Sequence, residues 1–286
     1  MQTEIVRSLH RKAISKPVCQ LWVDQTSGMT ISFADRSQDD LIVTFPFVAS
    51  YRISSDTKTI SYEPADDTIT SETLNHLWYD QLLPRLIAHD GDLVLHGGGV
   101  VLGGQAVAIM APTGHGKSTL TAFLHGAGHA LLGDDALIVD APDGTHQIRA
   151  VYPSLRLLPD SIDRLFGADV ETQIMAQYST KRKVAVEGLE TAAPLAMMLV
   201  LAPPQPDIAL HRLSVAEACM AIIANSFALN PTDKAWTVAN MRRASALAAS
   251  VPVFALSYPR DYDRLPDVHA AIAAQLALLD SAPPAP

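Results

Sequence analysis

At 286 residues, with 48% hydrophobic and 18% charged side chains, the chain is long and apolar enough to bury a large core without metal or disulfide staples, which excludes a disordered or collagen-like protein. Its 21 Lys+Arg against 30 Asp+Glu leave a formal charge of −9, so no diffuse basic field draws nucleic acid or an anionic membrane surface, and any phosphate contact has to be local. The two cysteines, Cys19 and Cys219, share no CxxC spacing, and no stretch has the length of a membrane span or the h-region of a secretory signal, so a cytoplasmic location is expected.

Short apolar or β-branched runs at 20–23, 30–33, 41–45 and 59–62, separated by Gly, Asp and Ser, predict antiparallel strands. From Ser71 the spacing turns helical: Leu74, Leu77, Trp78, Leu82, Leu86 and Ile87 share a face, Thr70 or Ser71 can cap, and Pro84 predicts a bend or interruption. Extended runs follow at 93–95, 100–102 and 106–110, then a glycine loop and a helix over 118–124 that Gly126 and Gly128 end. Strands are predicted at 130–132 and 136–139, and Pro142-Asp143-Gly144 predicts a hairpin to 148–151, so the sheet should be mixed. Further on come helices at 159–166, 215–227, 234–249 and 266–279 and strands at 183–186, 196–201 and 252–257. The chain thus divides into a β-rich N-terminal region ending in a helix (1–89), an α/β domain with the motifs (90–280) and a Pro/Ala tail expected to be disordered (281–286).

Ala111-Pro112-Thr113-Gly114-His115-Gly116-Lys117-Ser118, between an apolar strand and a helix, has the spacing of a phosphate-binding P-loop of the Walker A type, with Ala111 where Gly is usual. Glycines at 114 and 116 let backbone N–H groups approach phosphate oxygens and the helix N-terminus adds its dipole; Lys117 can reach the β/γ-phosphates and Ser118 can ligate Mg²⁺. Thr113, His115 and Thr119 complete the candidate nucleotide-binding set. A chance glycine turn before a helix is the bland alternative, and the strand-loop-helix context argues against it.

Asp134-Asp135 follows an apolar run shortly after the loop, where a Mg²⁺-binding acid belongs, although Gly-Asp-Asp alone would read as a turn. His96, in Leu95-His96-Gly97-Gly98-Gly99, opens the strand pair before the loop and could hydrogen-bond a catalytic carboxylate or orient an acceptor hydroxyl. Lys181-Arg182 could stabilise a transferring phosphoryl group, or be a solvated basic turn.

Together His96-Gly97, the P-loop and Gly128-His129-Ala130-Leu131-Leu132-Gly133-Asp134-Asp135 resemble the catalytic domain of the HPr kinase/phosphorylase family. The resemblance is strong over residues 93–140 and thinner at Leu155-Arg156-Leu157 and Lys181-Arg182, which are similar to shorter HPr-kinase-like serine or peptide kinases, including those linked to lasso-peptide tailoring. It implies a mixed-sheet P-loop core similar to phosphoenolpyruvate carboxykinase, ATP and Mg²⁺ as cofactors, a protein or peptide phosphoacceptor and a homo-oligomer. It implies also that Asp134 takes the acceptor's proton, that Asp135 lies near Mg²⁺ with Ser118, and that His96 and Lys117 assist. The family's Glu- and Gly-rich signature after the Asp pair is replaced here by residues 151–159, which argues against phosphorylase activity and against HPr itself as substrate. A nucleotide-binding regulatory module and a small-molecule or carboxykinase-like enzyme stay open as alternatives.

Overall fold

The computed structural model describes residues 9–11, 22–24, 31–34, 41–54, 59–152, 154–167 and 169–281. Six strands, β1 (Leu9–Arg11), β2 (Trp22–Asp24), β3 (Ile31–Ala34), β4 (Leu41–Phe45), β5 (Ala49–Ile53) and β6 (Ile60–Pro64), form a sheet in the order β1-β6-β5-β4-β3-β2, with only β1 and β6 parallel. The strands expected over 41–45 and 59–62 are β4 and β6; those expected over 20–23 and 30–33 overlap β2 and β3, with residues 20, 21 and 30 outside the described residues. β5, Ala-Ser-Tyr-Arg-Ile, escapes a search for continuous apolar runs because its apolar residues alternate.

The helix expected from Ser71 forms in three parts: α1 (Ser71–His76), a π-helical turn (Leu77–Leu82) and α2 (Leu83–His89). Thr70 caps it, its hydroxyl accepting from the Thr73 N–H. Pro84 has no N–H to offer the carbonyl four residues back, and the turn before it widens so that the Leu83 N–H donates to the Trp78 carbonyl. The proline is therefore absorbed by a bulge. Trp78, Leu82 and Leu86 share one apolar cluster with Val43, Tyr51 and Ile60 of the first sheet and with Val94, Ile138 and Phe227, so that cluster joins the N-terminal sheet to the elements that follow.

The remaining elements are β7 (Leu93–Leu95), β8 (Gly97–Leu102), β9 (Gln105–Met110), α3 (Lys117–Gly126), β10 (Ala130–Gly133), β11 (Leu137–Asp140), β12 (Gln147–Ala150), β13 (Leu155–Leu157), α4 (Pro159–Phe166), β14 (Thr172–Ile174), β15 (Arg182–Val184), β16 (Ala192–Leu201), β17 (Ala209–Arg212), α5 (Val215–Ala224), α6 (Lys234–Ser250), β18 (Val253–Ser257) and α7 (Leu265–Ser281). Nine strands make a mixed sheet in the order β10-β8-β9-β16-β12-β11-β7, with β18 beside β16 and β17 beside β18. β9, β16 and β18 are parallel, and β8 is antiparallel to both β9 and β10. The C-terminal ends of β9, β10, β16 and β18 therefore gather at one edge, where β8 begins; β13, β15 and β14 form a small separate sheet. The fold is mixed α/β, as the hairpin at 142–144 led us to expect.

Alternation along β9 builds the two faces. Val107 and Ile109 enter a core with α3 and α7, while Ala106, Ala108 and Met110 enter a core with α5 and α6. Gly98 of β8 lies under α3: a Cβ there would stand 2.1 Å from Thr121 Oγ1, which donates to the Lys117 carbonyl at 3.0 Å. Gly98→Ala is accordingly expected to destabilise the fold by about 1–3 kcal/mol, the usual range for overpacking. Urea unfolding checks it, and Gly98→Ala with Thr121→Ala should recover most of the loss; an unshifted midpoint for the single variant would contradict this packing.

Several expected ends move: β16 begins at Ala192 rather than 196, β8 takes in the glycines at 97–99, and β15 covers 182–184 rather than 183–186. α5 stops at Ala224 rather than 227, because Asn225 turns its side chain to the Ala221 carbonyl and the Phe227 N–H donates to Val94 along β7. Ser281 closes α7, leaving 282–286 of the expected tail outside the described residues. Among the described residues no helix is long and apolar enough to cross a membrane.

Candidate functional site

The loop between β9 and α3 sits at the gathered strand ends, the edge where parallel α/β sheets place ligands. Gly114 and Gly116 have φ of 82° and 86°, left-handed conformations that suit glycine, and Gly116 is the N-cap of α3. Ala111 is buried in the core, so a methyl group fits where the motif usually has glycine. Thr113, Gly114 and His115 are exposed, the His115 ring lying 3.1 Å from the Thr113 carbonyl, while Ser118 and Thr119 are half-buried in the first turn of α3.

Lys117 is buried, its Nζ 3.5 Å from Asp135 Oδ1. Asp135 follows β10 with φ 81°, a conformation that costs a residue with a side chain about 1–3 kcal/mol unless its surroundings dictate it. They do: Asp135 Oδ2 is 3.1 Å from Arg156 Nη1. Arg156, in β13 and wholly buried, also donates from Nη2 to the Asp134 carbonyl at 3.1 Å and to the Tyr152 hydroxyl, and from Nε to Ser154 Oγ at 3.1 Å; Nη1 pairs with Asp80 of the π-helical turn as well. The Arg156 backbone N–H donates to Asp134 Oδ2 at 3.4 Å, whereas Asp134 Oδ1 is buried with no partner among the described residues.

These contacts set the charges. Burial pushes the Lys117 ammonium down, against the pull of Asp135 and Asp134. Burial, reinforced by Asp135, pushes the Asp134 carboxyl up to about 6. Burial acts on Asp135 in the same sense but is outweighed by Arg156 and then Lys117, which hold its carboxyl well below the usual carboxylate range. Two adjacent carboxylates are thereby driven apart, one poised to take a proton and one fixed as an anion.

The fold thus brings Lys117, Ser118, Asp134 and Asp135 to one edge. His96 immediately precedes β8 there, but its ring packs edge-on against Phe227 at 5.6 Å and, among the described residues, makes no hydrogen bond to either carboxylate; burial, then the Lys117 charge, lowers its pKa to about 3, so the imidazole is neutral. Lys181 lies close enough for its charge to bear on His96, Lys117, Asp134 and Asp135, whereas Arg182 is exposed in β15 opposite Leu157 and Ile174 and bears on none of them.

Three residues carry more of this site than their sequence context suggests. Asp80 is a buried acid in the π-helical turn, among buried Leu77, Trp78 and Leu82, and an acid amid that apolar run is the one signal that could have marked it. Arg156 is visible in Leu-Arg-Leu but its partners are not. Arg260, just after β18, stacks 3.9 Å over the Tyr258 ring and donates to the Ala202 carbonyl at 2.8 Å; its Cδ lies 3.7 Å from where a Gly116 Cβ would be, which puts a cation beside the loop. A cleft of about 410 Å³, lined by Tyr79, Tyr152, Ser154, Gln173, Lys183 and Leu189 among others, shares Tyr152 and Ser154 with the Arg156 cage.

Among the described residues no three His, Cys, Asp or Glu side chains converge as a self-sufficient metal site. The donor set present suits Mg²⁺ all the same, since that ion is commonly held by one or two carboxylates and a hydroxyl with phosphate and water completing its shell, and Asp134 Oδ1 is a buried oxygen lacking a positive partner.

No protein-family model matches the sequence, and no curated protein matches it. Among solved structures it is similar to the HPr(Ser) kinase/phosphatase from Coxiella burnetii, at 12% identity and a TM-score of 0.36, over 65% of this chain and 97% of that one.

Proposed function

We propose that the chain is an ATP-dependent phosphotransferase that moves the γ-phosphoryl group to a hydroxyl, serine in a protein or peptide. The observation that supports it best is the convergence of a P-loop lysine with two inequivalent carboxylates at one sheet edge. Phosphoryl transfer asks the protein mainly for positioning and charge neutralisation. In this reading the turn at 113–116 and the N-terminus of α3 hold the phosphates, Lys117 exchanges Asp135 for the β/γ-phosphates, and Lys181 and Arg260 add positive charge at the rim. Ser118 and Asp135 hold Mg²⁺, which supplies further charge neutralisation when bound. Asp134 accepts the acceptor hydroxyl's proton, and neutral His96 walls the site. The cleft beside Tyr152 receives the acceptor. Two observations favour exchanging the two acids: the Asp135 side chain is 19% exposed and Asp134 as a whole only 1%, and Asp134 Oδ1 has no partner among the described residues whereas both Asp135 oxygens are paired with Lys117 or Arg156.

The test is to incubate the purified chain with γ-labelled ATP, Mg²⁺ and extract of its own cell, and to separate label in protein, peptide and metabolite. Serine-bound label in protein or peptide is expected. Label in a metabolite alone would replace this reading with a small-molecule kinase, and nucleotide affinity without any transfer would replace it with a regulatory module.

A further inference from the structure

We propose that Asp80 and Arg156 form a positioning pair that presets the two carboxylates, so that the N-terminal region supplies a working part of the site. The inference rests on the phosphotransferase reading for its kinetic test only; its structural basis is independent. The planar Arg156 guanidinium has five acceptors around it: Nε and Nη2 donate to Ser154 Oγ, the Tyr152 hydroxyl and the Asp134 carbonyl, while Nη1 is ion-paired with the carboxylates of Asp80 and Asp135 without hydrogen-bond geometry to either. Two of these belong to the Asp pair, and the Asp134 carboxylate is bound by the same residue's backbone N–H. Arg156 therefore holds the backbone of one acid and the side chains of both.

What keeps the guanidinium in that orientation is Asp80. Of the five acceptors it alone comes from outside residues 134–156, and it is itself held by His76 Nδ1 one helical turn earlier. Asp80 is 3% exposed, its other oxygen is buried without a partner among the described residues, and a buried ion pair repays its desolvation poorly, so the pair is explained by what it orders rather than by what it contributes to folding. Asp80 meets Arg156 from within the π-helical turn, a device common at functional sites. The left-handed backbone at Asp135 is the strained element that this pair maintains.

A Lys at 156 would keep the charge and lose the planar fork, and Asn at 80 would keep the shape and lose the charge. With γ-labelled MgATP as substrate and water or the cell extract as acceptor, Asp80→Asn and Arg156→Lys should each lower turnover at saturation by about 10- to 100-fold, as misplacement of a reacting group does, while the ATP KM stays within about threefold. The double variant should fall no further than the worse single one. Circular dichroism and cooperative melting verify folding, and His76→Gln serves as a milder variant if Asp80→Asn does not fold. Full turnover in either folded variant, rescue by Lys at 156, or multiplied effects in the double would overturn the proposal. If the wild-type chain binds no nucleotide or turns none over, the phosphotransferase reading fails instead. The positioning pair is then decided by amide exchange: faster exchange confined to 133–136 and 154–157 in Asp80→Asn supports it, and unchanged exchange there overturns it.

Discussion

Asp134→Asn is expected to leave MgATP affinity within about threefold of wild type and to lower phosphoryl transfer by roughly 100- to 10 000-fold, the span over which a general base contributes. Asn has the shape of Asp, so it can still accept the Arg156 backbone N–H and leave the surrounding cage in place. It removes the carboxylate's charge together with its proton affinity, which burial and Asp135 have raised to about 6 in this carboxyl. Calorimetry with MgATP and transfer of labelled phosphate are the two measurements. Asp135→Asn should show the opposite pattern, a weakened Mg²⁺ dependence before a loss of rate, because Asp135 is held as an anion by Arg156 and Lys117. If Asp134→Asn transfers at the wild-type rate and Asp135→Asn does not, the two roles are exchanged.

The second large effect is on binding itself. Lys117→Ala should weaken nucleotide affinity by about 10- to 100-fold, corresponding to the roughly 1.5–3 kcal/mol of a hydrogen bond to a charged group. Lys117 is buried, so the ammonium is already stripped of water and oriented before phosphate arrives, which makes its charge more effective than that of a surface lysine. The substitution also leaves Asp135 with Arg156 as its one remaining ion-pair partner among the described residues, so folding must be verified by melting alongside the calorimetry. Affinity equal to wild type in a folded Lys117→Ala variant would mean that phosphate is not held by this loop.

The strand–glycine turn–helix geometry of the loop at 111–118 was legible because all its determinants are local: a strand, two glycines at positive φ, a lysine and a helix lie in one short stretch. The Asp pair was legible for the same reason. The His96 contact was not, because whether a ring turns to a carboxylate or to Phe227 depends on Ser226 and Phe227 returning alongside β7, a long-range event. Strands β13, β14 and β17 are three or four residues long, and β14 and β17 are largely exposed, so their apolar pattern is too short to read, whereas β15 overlaps the strand expected over 183–186. Asp80 and Arg156 meet from distant parts of the chain, and no periodicity announces such a pair. The π-helical turn is likewise hidden, since Leu77, Trp78 and Leu82 satisfy a 3.6-residue pattern closely enough to pass as ordinary helix.

That turn also sets how the site tolerates a change in chain length. A π-helical turn is an α-helix carrying a single surplus residue, and each residue of an α-helix rotates the chain by about 100°. Deleting one residue between 77 and 82 would let the backbone relax to regular helix, yet it would swing Asp80 away from Arg156 or turn Leu82 and Leu86 out of their apolar cluster. Two faces of one helix have been brought into phase by that surplus residue: one buries against the first sheet, the other delivers a carboxylate. Single-codon deletions here should therefore separate stability from turnover, a genetic signature that substitutions at the same positions would not produce.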